Sequence, residues 1–228
     1  MTTLNRRNFL IASGSACALA ALPAGFAHAG SVPPLGRITY EIERKGDVIG
    51  RHTMTLSRAA NQLIARNEIG IEVRMFGFVA FRYEHSSREL LDADGIVELE
   101  SKTNDDGTHQ QLQARRAGSR LKVDGTAGRR ELTGRVLTTS LWHPDTTRKR
   151  ELLDIEDGAL ARIDPAGIGM ETLDIPALGR VACRKYALND DVQRTVWYDD
   201  AGRLLAASCV SKKDGSHVMA KATEIARA

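Results

Sequence analysis

Residues 94–125 read DGIVELESKTNDDGTHQQLQARRAGSRLKVDG. Four turn signals punctuate the stretch, at Asp94-Gly95, Asp106-Gly107, Ala117-Gly118-Ser119 and Asp124-Gly125. Asp-Gly between alternating segments marks a hairpin, because glycine accepts the positive φ that primed turns require. The segments alternate as half-buried strands do: Leu121 and Val123 share one face of RLKVDG, and Leu99 goes with Ile96 or Val97 in IVELES. The reading is a run of antiparallel hairpins.

The rhythm extends in both directions, with further turns at Lys45-Gly46-Asp47, Asp157-Gly158, Asn189-Asp190, Asp200-Ala201-Gly202 and Asp214-Gly215. In RITYEIERKG, residues 37–46, Ile38, Tyr40 and Ile42 face one way while Arg37, Thr39, Glu41 and Glu43 face the other. One stretch, 138–149, breaks the pattern. It holds Ser140-Leu141-Trp142-His143-Pro144-Asp145, and a proline has no place inside a ladder, so a short helical crossover is expected there. A sheet with this many strands curls or splits rather than staying flat. The expected fold is therefore all-β: a single antiparallel meander sheet curled into a closed or half-open barrel, with one short helical crossover near 138–149. A sandwich is the alternative. No repeat or low-complexity linker divides the chain, so residues 36–228 form one expected domain after a short linker at 30–35.

The N-terminus reads as an address. Arg6-Arg7 precede Asn8-Phe9-Leu10 and an apolar stretch from Ile11 to Leu22, and Ala27-His28-Ala29 has the small-x-small pattern that a signal peptidase cleaves. Residues 1–29 are expected to be a twin-arginine signal peptide cut near Ala29-Gly30, with the twin-arginine translocase as a transient partner and the periplasm as destination. The stretch is shorter than the roughly 20 apolar residues of a spanning helix, so no transmembrane anchor is expected in the mature chain. Removing residues 1–29 takes Arg6 and Arg7 and no acid, which lowers the formal net charge from +3 to about +1. That balance gives no footprint for a nucleic-acid partner.

Reactive residues are sparse. Cys183 and Cys209 fall on strands two apart, at least ~9.5 Å across the sheet and beyond disulfide reach, so free thiols are expected. His52, His85, His109, His143 and His217 are scattered without ligand spacing, and neither a metal nor a cofactor is expected. Asn104-Asp105-Asp106-Gly107 superficially resembles a calcium loop, but the twelfth position is Arg115, so a hairpin turn is the better reading. Ser140, His143 and Asp145 lie within six residues beside a proline, which fits a capped turn better than a triad. No catalytic residue is assigned. Arg115-Arg116, Arg129-Arg130 and Arg148-Lys149-Arg150 read as solvated loop charge, with a basic rim as the alternative.

The unusual segment is MFGFVAFRYEH, residues 75–85, which is apolar on both faces. Either the strand is buried on both sides, or one face lines an apolar cavity. The candidate ligand-binding residues are Phe76, Phe78, Phe81, Tyr83, Trp142, Trp197 and Tyr198, with Arg82 or a loop arginine for a polar head. In TVWYDDAGRLLAAS, residues 195–208, the turn itself is structural, and alternation places Trp197 and Tyr198 on opposite faces, one toward the core and one toward the rim.

YEIERKGDVIGRH, FGFVAFRYEH with LLDADGIVELESKTNDDG, TTSLWHP, RKYAL and VWYDDAGRLL follow one another in an order that resembles a family of bacterial exported proteins known as a domain of unknown function. The resemblance covers nearly the whole mature chain. Its most specific pieces are Thr103–Gly107, Ser140-Leu141-Trp142 and Trp197-Tyr198-Asp199. It implies a curved all-β sheet similar to periplasmic lipid and lipoprotein carriers, and it implies no reaction. The expected function is non-enzymatic binding or carriage of a lipophilic or amphipathic small molecule. One alternative is an envelope assembly factor that docks a protein partner by strand addition. The other is a hydrolase or isomerase on a lipid-like substrate.

Overall fold

The computed structural model describes residues 32–211 and 214–227; the expected signal peptide and its cleavage site lie outside them. Among the described residues fourteen strands form one antiparallel sheet. The first eight are β1 (Gly36–Arg44), β2 (Asp47–Ala59), β3 (Gln62–Met75), β4 (Phe78–Asp92), β5 (Gly95–Asp105), β6 (Thr108–Ala117), β7 (Arg120–Gly125) and β8 (Gly128–Thr133). After a 3-10 helix at Pro144–Arg148 come β9 (Glu151–Leu153), β10 (Leu160–Ile175), β11 (Gly179–Asp190), β12 (Arg194–Tyr198), β13 (Leu204–Val210) and β14 (His217–Arg227).

The order is β8-β7-β6-β5-β4-β3-β2-β1-β14-β13-β12-β11-β10-β9. Two meanders, β1–β8 and β9–β14, meet where β1 pairs with β14, from Gly36 opposite Arg227 to Arg44 opposite Val218. Every other strand pairing is between sequence neighbours, as the short Gly-containing turns require. The sheet does not close: β8 and β9 are its two ends.

What holds the curl is the crossover and the loop after β9. Thr138 bridges Leu153 of β9, and the Leu153 and Thr139 amides donate to the Leu137 and Leu153 carbonyls at 2.9 and 3.0 Å. Beyond β9, the loop 154–158 lies against the other end of the sheet. The Ala127 amide donates to the Asp157 carbonyl at 3.0 Å, and Ser101 Oγ donates to the Ile155 carbonyl. This approach demands glycine. A Cβ on Gly125 would sit 2.1 Å from the Asp157 oxygen, and one on Gly158, at φ 81, would meet Leu112 at 2.9 Å. The half-open outcome follows: the ends touch through loop contacts rather than a ladder.

The expected turns fall at or beside strand ends, with additional ones at Ala60-Asn61 and Phe76-Gly77. The second corrects the reading of residues 75–85 as one strand. Phe76 at φ 52 and Gly77 at φ 84 reverse the chain, with Met75 opposite Phe78. Cys183 on β11 and Cys209 on β13 are free and separated by β12.

Candidate functional site

Strand alternation sends every second residue of β1–β6 into the curl, and the register stacks these residues in rows. Deepest are Leu63, Leu91 and Ile96, followed by Leu56, Ala65, Glu89, Leu99 and Ala114. Next come Met54, Asn67, Ser87, Ser101 and Leu112, then Tyr40, His52, Ile69, His85 and Thr103. The uppermost rows are Ile42, Gly50, Ile71 and Tyr83, then Val73 and Phe81. The curl is thus dry at its base and polar at mid-height, and apolar residues return toward one end.

At that end lies a cavity of about 690 Å³, within the range of small-molecule sites. Tyr40, Ile42, His52, Asn67, Ile69, Ile71, Phe81, Tyr83 and His85 form one wall. Leu204, Ala207, Ser208, Cys209 and Val210 of β13, with Val218 and Ala220 of β14, form the opposite wall, and Leu141, Ile155, Ala159 and Ala161 cover it from the crossover side. Arg194, Asp154 and Glu156 are its charged residues beside Asp191.

The members of the polar layer bond to one another. His52 Nε2–H donates to Asn67 Oδ1 at 3.1 Å, and Asn67 Nδ2 donates to Ser87 Oγ at 3.3 Å. His52 also stacks on Tyr40 at 4.8 Å. His85 Nδ1 and Thr103 Oγ1 share a bond of 2.8 Å. Burial lowers both imidazoles to about 4, with nearby Arg194 adding to the effect at His52 and His52 adding to it at His85. Both are neutral near pH 7. Tyr83 Oη donates to Glu156 at 2.7 Å, and burial raises the Asp154 and Glu156 carboxyls above the ordinary carboxylate range.

The eight candidate residues do not assemble into one site. Phe81 and Tyr83 line the cavity. Phe76 and Phe78 stand at the β3–β4 turn, 95% and 77% exposed, outside its lining. Arg82 is exposed and paired with Glu72 at 2.8 Å, so the arginine at the cavity is Arg194. Trp142 is buried below, donating its indole N–H to Glu89 Oε1 at 3.0 Å. Trp197 and Tyr198 are both buried, so neither lies at the rim as alternation suggested. Trp197 belongs to the main core, while Tyr198 packs under the crossover and donates to the Leu141 carbonyl at 2.6 Å.

Glu89 fixes the crossover. Its carboxylate accepts from Ser140 Oγ at 2.8 Å, Thr138 Oγ1 at 3.2 Å and Trp142. Burial raises its pKa, and the three donors offset part of that rise. Ser140 is therefore committed to Glu89, whereas Asp145 pairs with Arg135 at 2.7 Å and its amide donates to His143 Nδ1 at 3.1 Å. The three form no relay. Among the described residues no group of three or more His, Cys, Asp or Glu could hold a metal ion. Asn104 Oδ1 caps the Gly107 amide at 2.9 Å, as a hairpin turn requires. The basic clusters are spent locally, Arg115 on Glu98, Arg116 on Asp92, Arg129 on Asp124 and Arg150 on Asp164.

The sequence signal for the polar layer was alternation itself. Counted back from Leu91, the inward residues of β4 are Glu89, Ser87, His85 and Tyr83. Their polarity masks the fact that they face inward.

No helix among the described residues is long and apolar enough to cross a membrane. No curated protein matches the chain. Among solved structures the chain is similar to a beta-barrel-like protein of domain of unknown function DUF1849 from Brucella abortus. The TM-score is 0.62 at 11% identity, over 87% of this chain and 100% of that one, a likeness of fold. A "putative lipoprotein" from Parabacteroides distasonis aligns at TM-score 0.35 and 10% identity, over 85% of this chain and 96% of that one. The family model for the domain of unknown function DUF6134 matches residues 40–222, so this half-open, cavity-bearing meander belongs to that family.

Proposed function

We propose that the chain is an exported periplasmic protein, carried by the twin-arginine pathway, that binds and carries an amphipathic ligand without transforming it. The observation that carries this reading is the cavity: about 690 Å³, with Ile42, Ile69, Ile71 and Phe81 on one wall and Arg194 among its residues. An apolar body would lie along the isoleucines, and an anionic or polar head would meet Arg194. Neutral His52 and His85 offer hydrogen bonds below it without requiring charge.

A hydrolytic reading would use His85 as base for Thr103. Thr103 is only 3% exposed, and no carboxylate is hydrogen bonded to either residue to orient the pair. Docking by strand addition finds a bare edge along β10 beyond β9, blunted by Pro165 and the bulge between Gly167 and Gly169, and another along β8, which is only 6 residues long. Carriage is the better supported reading.

Native mass spectrometry of the mature protein from the periplasm, with denaturing lipid extraction, tests it. A stoichiometric bound amphiphile, lost in Ala207→Phe, which fills the wall, supports carriage. An empty protein that also fails to take up a fatty-acid probe overturns it.

A further inference from the structure

The β3–β4 hairpin runs past both neighbours. The β2 pairing with β3 ends at Gly50 opposite Ile71, and the β5 pairing with β4 ends at Tyr83 opposite Asp105, so residues beyond these project as a two-stranded ribbon. Its tip is exposed and apolar at Met75, Phe76, Phe78 and Val79. Phe78 and Val79 are consecutive in a strand and point to opposite faces, so the tip is apolar all round. Along the same rim, the adjacent β1–β2 and β13–β14 hairpins expose Val48 and Val210 next to their turns. Val210 also lines the cavity, so this rim is its mouth.

We propose that this rim seats on a lipid bilayer, with the β3–β4 tip as the inserting element and the cavity mouth facing the membrane. A protein partner covers one face of a ribbon, whereas this tip needs apolar cover on every side, which acyl chains supply. Directly behind the tip the surface turns polar: Arg74 and Arg82 both pair with Glu72, at 2.7 and 2.8 Å, and the Arg82 amide donates to Asp106 Oδ1 at 3.3 Å, a collar of paired charges. Phe76, in the turn, lies two residues beyond Arg74, at most about 7 Å away. Insertion to that depth matches the roughly 5–10 Å reached by interfacial elements, and it leaves the ion-paired collar among the polar headgroups. Seating is independent of whether the cavity holds a ligand, so the two proposals fail separately.

The test is flotation of the mature protein with vesicles of phosphatidylethanolamine containing a minority of phosphatidylglycerol. The expected result is co-flotation that Phe76→Ser/Phe78→Ser weakens by about tenfold or more. Phe76→Trp supplies a second readout: both native tryptophans are buried, so its emission should shift to the blue with vesicles and be quenched by brominated acyl chains. Absent flotation, or flotation unchanged in the serine variant, overturns the proposal. So does self-association without vesicle binding that the serine variant abolishes, since a second copy would then be the cover. A bound amphiphile in a protein that ignores vesicles would overturn seating and leave carriage standing.

Discussion

Two long ribbons, β3–β4 and β10–β11, leave the sheet at opposite ends and meet opposite fates. Toward its turn the β10–β11 ribbon alternates: Leu173, Ile175 and Cys183 are buried in the main core, while Thr172, Asp174 and Ala182 face outward. The β3–β4 ribbon abandons alternation at its tip and buries nothing there. A ribbon written with period two is covered by its own protein. One that is apolar at every position has its cover elsewhere.

The largest effect expected from this contrast is at Ile175, which is fully buried. Ile175→Ala removes three carbons from a packed site and should cost about 4 kcal/mol, read as a fall in the urea midpoint at unchanged slope. A loss below about 1 kcal/mol would mean that the ribbon is not packed as its alternation says.

Next is Glu89, which ties the N-terminal meander to the crossover. Glu89→Ala strands the indole N–H of Trp142 and two hydroxyls, and should cost about 3 kcal/mol. Glu89→Gln, a neutral isostere, should be nearly silent at low pH. The wild-type carboxyl has a raised pKa, so the folded state holds its proton more tightly. This group's contribution therefore falls as pH rises from the ordinary glutamate value through the raised one, and Gln should remove that slope. Equal pH dependence in both proteins would show that Glu89 is not confined as described.

How much of this was legible is uneven, for physical reasons. Hairpins closed by Asp-Gly announce themselves, because the residues that permit positive φ are themselves the turn chemistry. Pro144 likewise marked the crossover. The turn at Phe76-Gly77 did not, because an apolar residue takes the left-handed position that Asn or Asp usually fills. The aromatic residues were legible as important but not as to where they sit. Trp142 is drawn down by Glu89, Tyr198 is covered by the crossover through Leu141 and Thr146, and Trp197, on the other face, is covered by Lys185 and by Glu171, which accepts its indole N–H. The polar layer was hidden for the reason noted above, since inward serines and histidines look like a wet face until the register is known.

That layer carries the third expectation. His85 is held near 4, chiefly by burial and secondarily by His52, so between pH 6.5 and about 4 the unfolded chain binds the extra proton. The contribution is complete above pH 6.5 and lost as pH falls through that window, about 3 kcal/mol in all. The raised carboxyls of Glu89, Asp154 and Glu156 act in the opposite sense, so the informative quantity is the difference between wild type and His85→Gln. A difference that does not change between pH 4 and 6.5 would mean that His85 is solvated rather than walled in.

The smallest effect sharpens the contrast most. Phe76→Ser and Phe78→Ser should each shift stability by no more than about 0.5 kcal/mol, since neither side chain leaves water on folding. A well-packed phenylalanine at either position would instead cost about 3 kcal/mol or more. A loss of that size would show the tip folded back on its own chain, and the two ribbons would then obey one rule. An absent loss leaves two large aromatic side chains that contribute nothing to folding, and the energy of covering them is then available only to binding.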